Sequence, residues 1–208
     1  MFKICSTSAS DLSRTTFCRE PPILRCPLPV LLKDLTCDQR AALVRARLFV
    51  LDVDGTLTDG QVVYIGQEEL QSFCVRDGQG LVFLRKQGIK LAWISGRGCA
   101  ATERRGRELG VEFMSLGCRD KAAELTRIQA QAGVTPADTL AMGDDLPDLA
   151  LARGASFFSV PRGACRELRE RADYVSQAAA GAGAVREVCE LCLSARGLWD
   201  GLVEAAGR

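Results

Sequence analysis

The chain has 208 residues, 47% of them hydrophobic and 25% charged, with a net charge of +1. That suits one soluble domain with a full core and gives no electrostatic case for nucleic acid or membrane partners, and no stretch approaches the roughly 20 apolar residues of a membrane span. There is no histidine, so histidine triads, histidine metal sites and histidine general bases are excluded, and acid–base chemistry falls to carboxylates, Lys, Cys or Tyr.

Residues 1–35 read as a poorly ordered extension. Met1–Pro29 is rich in Ser, Thr, Arg, Cys and Pro, has no helical or strand period, and lacks the apolar segment of a secretory signal. Asp11 and Glu20 argue against an organelle transit peptide. The folded domain is expected over 36–208, opening with a helix from about Leu35 to Ala46 capped by Thr36 or Asp38.

The apolar run Leu48–Leu51 then ends abruptly in Asp52-Val53-Asp54-Gly55-Thr56. This is the pattern of a buried parallel strand delivering two carboxylates to the carboxyl end of a sheet, where open α/β folds place their chemistry. Two carboxylates so close repel unless a cation lies between them, and with only oxygen ligands on offer Mg²⁺ is the natural one. Gln61–Val75 alternates in hydrophobicity around Gly66-Gln67-Glu68-Glu69, which predicts a β-hairpin with a four-residue loop.

A helix over Gly80–Lys86 follows, then a strand Lys90–Ser95 ending in Ser95-Gly96-Arg97. A helix Ala100–Leu109 stops at Gly110, and its arginines 104, 105 and 107 read as a hydrated face. Next come a strand Val111–Met114 and a helix Lys121–Ala132 with Asp120 as N-cap and Gly133 at its end. The strand Thr139–Met142 runs into Gly143-Asp144-Asp145, with Asp148 three residues on. A helix Pro147–Arg153, a strand Ser156–Val160, a helix Ala164–Ala172, a short strand Tyr174–Val175 and a closing helix Val185–Leu198 complete the chain.

Strand and helix alternating through short connections predict a doubly wound, Rossmann-like α/β parallel sheet. The only insertion is the hairpin after the first strand, too short for a cap domain. The ten cysteines show no regular framework, and Cys189-x-x-Cys192 falls in a helix. They read as buried apolar side chains in a reducing, cytoplasmic compartment.

Asp52-Val53-Asp54-Gly55-Thr56, Ser95-Gly96-Arg97, Lys121 and Gly143-Asp144-Asp145 with Asp148 together resemble the four motifs of the haloacid dehalogenase-like phosphatases. The match narrows with Asp54–Gly60, Val75–Gly80, Arg171–Val175 and the tail Gly181-Ala182-Gly183-Ala184-Val185-Arg186-Glu187. These are similar to the capless 3-deoxy-D-manno-octulosonate 8-phosphate phosphatases over about Arg47–Gly197. The tail departs from that pattern in having Ala180 before Gly181, and Gly163 stands where relatives often carry Asn.

The resemblance implies Asp52 as nucleophile and Asp54 as general acid–base, with Mg²⁺ on Asp52, Asp144 and the main-chain carbonyl of Asp54. Asp145 and Asp148 would lie one layer out from the metal, Ser95, Gly96 and Lys121 would hold phosphate, and Arg76 and Arg186 would meet the sugar acid. It also implies a homotetramer, in which a neighbour covers the open site. A nonulosonate 9-phosphate phosphatase, or a relative of the phosphatase-like domain of sialate cytidylyltransferases, is the alternative substrate reading. A receiver-type phosphoacceptor would carry its acceptor Asp on a later strand, and a non-catalytic relative would be expected to have lost Asp52 or Asp54.

Overall fold

A computed structural model describes residues 31–207, so the part of the expected extension before residue 31 lies outside the described residues. Helix α1 (Leu31–Asp34) precedes α2 (Cys37–Arg45), and Leu32 and Leu35 pack on the core. Thr36 caps α2: its hydroxyl accepts the Gln39 N–H while the Gln39 side chain accepts the Thr36 N–H.

Six strands form one parallel sheet in the order β5-β4-β1-β6-β7-β8. They are β1 (Leu48–Leu51), β4 (Lys90–Ser95), β5 (Phe113–Leu116), β6 (Thr139–Met142), β7 (Phe157–Arg162) and β8 (Tyr174–Ala179). From β1 the chain winds outward through β4 to β5, then returns to the other side of β1 for β6, β7 and β8. The reversal lies at β1, so a crevice opens at the carboxyl ends of β1, β4 and β6.

Alternation along β1 builds both faces of the core. Phe49 and Leu51 join one cluster with Leu43, Leu81, Trp93 and Val188, whereas Leu48 and Val50 join the other with Ile94, Ile128 and Leu151. The first face is covered by α2, α3 (Val75–Lys86) and α8 (Ala184–Ala195), the second by α5 (Lys121–Ala132) and α6 (Leu149–Arg153). Helix α4 (Ala100–Leu109) ends as expected at Gly110, which is left-handed at φ 70°.

Several boundaries differ from the sequence expectation. The hairpin is β2 (Val63–Ile65) and β3 (Glu68–Leu70), closed by the two-residue turn Gly66-Gln67. Glu68 pairs with Ile65 because both faces of this ribbon are solvated, so acidic residues fit strand as well as loop. Helix α3 starts at Val75 rather than Gly80. Gly78 and Gly80 lie inside it and are buried; a Cβ at Gly80 would sit 3.0 Å from that of Cys189, so these glycines serve close helix packing rather than helix breaking.

Strand β5 begins two residues late, and a 3₁₀ turn Leu146–Asp148 opens the expected helix at Pro147. The expected helix Ala164–Ala172 shrinks to α7 (Arg166–Arg169), while β8 extends to Ala179. A further helix, α9 (Trp199–Ala206), follows a left-handed Gly197 and was not anticipated. Among the described residues, no helix is long and apolar enough to cross a membrane.

Candidate active site

The chain leaves β1 still extended, with the Asp52 N–H donating to Met142 O at 3.0 Å. It then folds tightly around one carbonyl: Val53 O accepts from the N–H groups of Thr56, Leu57 and Thr58 at 3.3, 2.9 and 3.0 Å. Gly55 makes that turn possible. Its φ is 92°, and a Cβ there would be driven into the Asp144 carboxylate. Thr56 donates its hydroxyl to Asp144 Oδ1 at 3.2 Å, joining the ends of β1 and β6.

Lys121, at the start of α5, projects between these strand ends. Its Nζ donates to Asp52 Oδ1 and to Asp148 Oδ1, both at 2.6 Å, and all three residues are buried. The helix start is fixed by Asp120, whose side chain accepts the Ala123 N–H at 3.0 Å. Asp148 uses its other oxygen to accept the Asp144 N–H at 3.0 Å, which orders the loop after β6.

Asp54 faces the other wall. Ser95 Oγ at the end of β4 donates to Asp54 Oδ2 at 3.0 Å, and Gln71 Nε2 donates to Asp54 Oδ1 at 2.8 Å. The two carboxylates of the Asp-x-Asp pair therefore have separate partners: Asp52 the ammonium, Asp54 a hydroxyl and an amide.

The centre carries more negative than positive charge. Burial, and then the nearby Asp148, push the Asp52 carboxyl up to about 8, against the pull of Lys121. Burial and Asp148 likewise raise Asp144, to about 6. For Lys121, burial alone would lower the ammonium, but Asp52 and Asp148 together outweigh it and leave it raised. Asp52, Asp144 and Asp148 each present an oxygen within 4.8 Å of the others. Three crowded oxygen donors and strained ionisation fit a hard divalent cation. Both Asp148 oxygens already accept hydrogen bonds, so Asp52 and Asp144 are the freer pair.

A hollow of about 480 Å³ opens beside Lys121, between Gly96, Arg119, Asp120 and Pro147. Of the other residues expected at the site, Gly96 and Asp145 are exposed. Arg76 and Arg186 are brought together, but in a separate pocket with Ala182, Gly183 and Glu190. Arg76 donates to Ala182 O at 3.2 Å. Arg186 is paired with Glu190 at 2.6 Å and lies over the rings of Phe83 and Trp199.

Three residues with clear duties were not singled out from the sequence. Thr56 and Gln71 hold Asp144 and Asp54. Asp77 is buried and accepts the N–H groups of Gly183 and Arg186 at 3.3 and 2.7 Å, tying the glycine-rich tail to α3. The Asp-Gly-x-Gly spacing around Asp77 was the available signal.

The chain is similar to known proteins over most of its length. It is 36% identical over 176 residues to 3-deoxy-D-manno-octulosonate 8-phosphate phosphatase KdsC of Escherichia coli, covering 84% of this chain and 92% of that protein. The chain belongs to the 3-deoxy-D-manno-octulosonate 8-phosphate phosphatase family. Members are phosphoric monoester hydrolases of the haloacid dehalogenase superfamily.

Among solved structures of this phosphatase family, the Moraxella catarrhalis enzyme in complex with magnesium, phosphate and a KDO molecule superposes with a TM-score of 0.78. It is 38% identical, and the match covers 81% of this chain and 97% of that one. The cobalt-bound phosphatase from Haemophilus influenzae gives 0.74 at 34% identity, over 76% and 93% of the two chains. No protein-family model matches the chain. The six-stranded parallel sheet and the hairpin insertion are those of this phosphatase family, and the described residues include no cap domain.

Proposed function

We propose that this chain is a Mg²⁺-dependent phosphatase that hydrolyses 3-deoxy-D-manno-octulosonate 8-phosphate to the free sugar acid and inorganic phosphate, a step in making lipopolysaccharide precursor. The observation that carries the reading is the buried Asp52–Lys121–Asp148 cluster with Asp144 beside it, in a chain more than one third identical to enzymes of that name.

Asp52 is the nucleophile. Its carboxylate oxygen forms a bond to phosphorus as the bond from phosphorus to the sugar oxygen breaks, giving an aspartyl-phosphate. Asp54 gives a proton to the departing sugar oxygen, then takes one from the water that attacks phosphorus and releases Asp52. Of the three N–H donors on Lys121, two are taken by Asp52 and Asp148, which leaves one for a phosphate oxygen. The backbone at Gly96, just after Ser95, borders the same hollow and holds another. Asp52, Asp144 and the main-chain carbonyl of Asp54 would hold Mg²⁺, with Asp145 and Asp148 around them; when bound, the ion supplies the counter-charge that lets a phosphate dianion meet a carboxylate.

The described residues supply no cover for the site, and the hairpin shows Val63, Tyr64, Ile65 and Leu70 to solvent. A closed homotetramer, packed through the hairpins, accounts for both. Phosphate release from a panel of eight- and nine-carbon sugar-acid phosphates, with and without Mg²⁺, tests the reading. Mg²⁺-dependent preference for the eight-carbon substrate is expected, and preference for a nonulosonate 9-phosphate would overturn the substrate assignment.

A further inference from the structure

Gln71 leaves the hairpin just after β3 and joins three elements through one amide. Its Nε2 donates to Asp54 Oδ1 at 2.8 Å, and its Oε1 accepts the hydroxyl of Thr102 on α4. Thr102 is buried. The arrangement has one sensible direction. Turned over, the amide would set Oε1 against a carboxylate oxygen, acceptor facing acceptor; the Thr102 hydroxyl, as donor, holds the amide the right way round. Ser95 Oγ grips the second Asp54 oxygen at 3.0 Å from the opposite side, so the carboxylate is fixed in rotation as well as in place.

The anchor is itself anchored. Neighbouring Glu69 is paired with Arg97 at 2.8 Å, and its carbonyl accepts from Cys99 Sγ at 3.9 Å, so the end of β3 is bound to the loop between β4 and α4. Neither Gln71 nor Thr102 belongs to the motifs that mark the superfamily, and neither touches Lys121 or the acidic cluster.

We propose that Gln71, oriented by Thr102, is a positioning residue that sets the rotation of the Asp54 carboxylate for proton transfer to the leaving oxygen. The proposal rests on Asp54 being the acid–base group. It places the hairpin in the chemistry of its own subunit.

Leaving-group dependence separates this role from a general structural one. An alcohol must be protonated as it departs, whereas p-nitrophenolate leaves without help. Gln71→Leu and Thr102→Val are expected to lower kcat for 3-deoxy-D-manno-octulosonate 8-phosphate roughly 10- to 100-fold with KM changed less than about twofold. The first-turnover burst of p-nitrophenolate, a step that needs no acid, should stay within about threefold in rate for the same variants, and Thr102→Ser should restore the alkyl substrate. An equal loss in the p-nitrophenolate burst rate, or a folded Gln71→Leu enzyme with unchanged kcat on the sugar-acid phosphate, would overturn the proposal. Asp54→Asn is measured alongside. If it is inactive on the alkyl substrate while Gln71→Leu is not impaired, only the positioning role fails. If Asp54→Asn turns that substrate over normally, the acid–base assignment fails and the positioning role with it.

Discussion

The carboxyl edge of the sheet and the hairpin, which starts at Val63 only 12 positions after β1 ends at Leu51, depart from ordinary stability rules in opposite ways. At the edge, Asp52, Lys121 and Asp148 are at most 7% exposed, and charge is buried where apolar side chains would pack at lower cost. On the hairpin, Tyr64 and Ile65 are 65% and 64% exposed, and apolar surface faces water where polar side chains would be free. Under the proposed function, one region holds charges for a counter-ion and a substrate, and the other holds a face for a neighbouring subunit. Each would then serve what binds there rather than the stability of the isolated subunit.

The largest effect should come from the edge. Asp52→Asn is expected to lower phosphatase turnover by about four or more powers of ten. Without Mg²⁺, the same change should leave the melting temperature equal or higher, since it removes a carboxyl whose ionisation burial opposes. Activity near wild type, or a large loss of stability, would break the contrast between the two regions. Next, Lys121→Met should cost roughly 10²- to 10³-fold in kcat by removing the ammonium that the described residues place among three carboxylates. A loss under twofold would show that the pairing is ornamental to catalysis.

A third test uses pH. In the cation-free protein Asp52 is raised to about 8 and Asp144 to about 6. A carboxyl raised on folding binds protons more tightly in the native state, so its stabilising contribution is complete below the unfolded value, near 4, and is lost as pH climbs through the folded one. The metal-free melting temperature should therefore fall between about pH 5 and pH 8. Mg²⁺ needs the ionised oxygens, so its stabilising shift should be greater at pH 8 than at pH 6, with protons released on binding. A shift that shrinks as pH rises would contradict the charge distribution described.

The smallest effect on the subunit should come from the hairpin. Ile65→Glu changes an exposed side chain, so subunit stability should move by no more than about 0.5 kcal/mol. Light scattering should nonetheless show the tetramer giving way to smaller species, with turnover reduced. A wild-type enzyme that is monomeric and fully active at assay concentration would remove the reason for the bare face.

How much of this was legible in sequence depended on how local the cause was. All six sheet strands, three of them (β1, β4 and β6) with their bounds, and the caps at Thr36, Asp120, Gly110 and Gly133 follow from apolar runs and capping chemistry contained in a few residues. The fold class follows from their alternation. Asp52, Asp54, Ser95 and Asp144 stood out as charged or hydroxyl side chains at the ends of apolar strands, whereas Lys121, a helix-start lysine, stood out only through the family resemblance.

Gln71 did not stand out, since a glutamine after a wet hairpin looks like any solvated residue until α4 brings Thr102 beside it. The resemblance offered Arg186 as a contact to the sugar acid. Only the fold shows Phe83, Glu190 and Trp199 closing around its guanidinium, in a pocket that none of the acidic cluster lines. Helix α3 was read short because Gly78 and Gly80 lower helix propensity, and the packing that overrides this comes from distant residues, Arg105 and Leu109 of α4 against Gly78 and Cys189 of α8, 109 positions on, against Gly80.

The central claim is that Asp52 takes the phosphoryl group and Asp54 moves the protons. Asp54→Asn supplied with Mg²⁺ and p-nitrophenyl phosphate can lose its first leaving group without an acid but lacks a base for the second step. Acid quench followed by peptide mass spectrometry should find one phosphoryl group accumulated on Asp52. No adduct, or an adduct on another residue, would contradict the account.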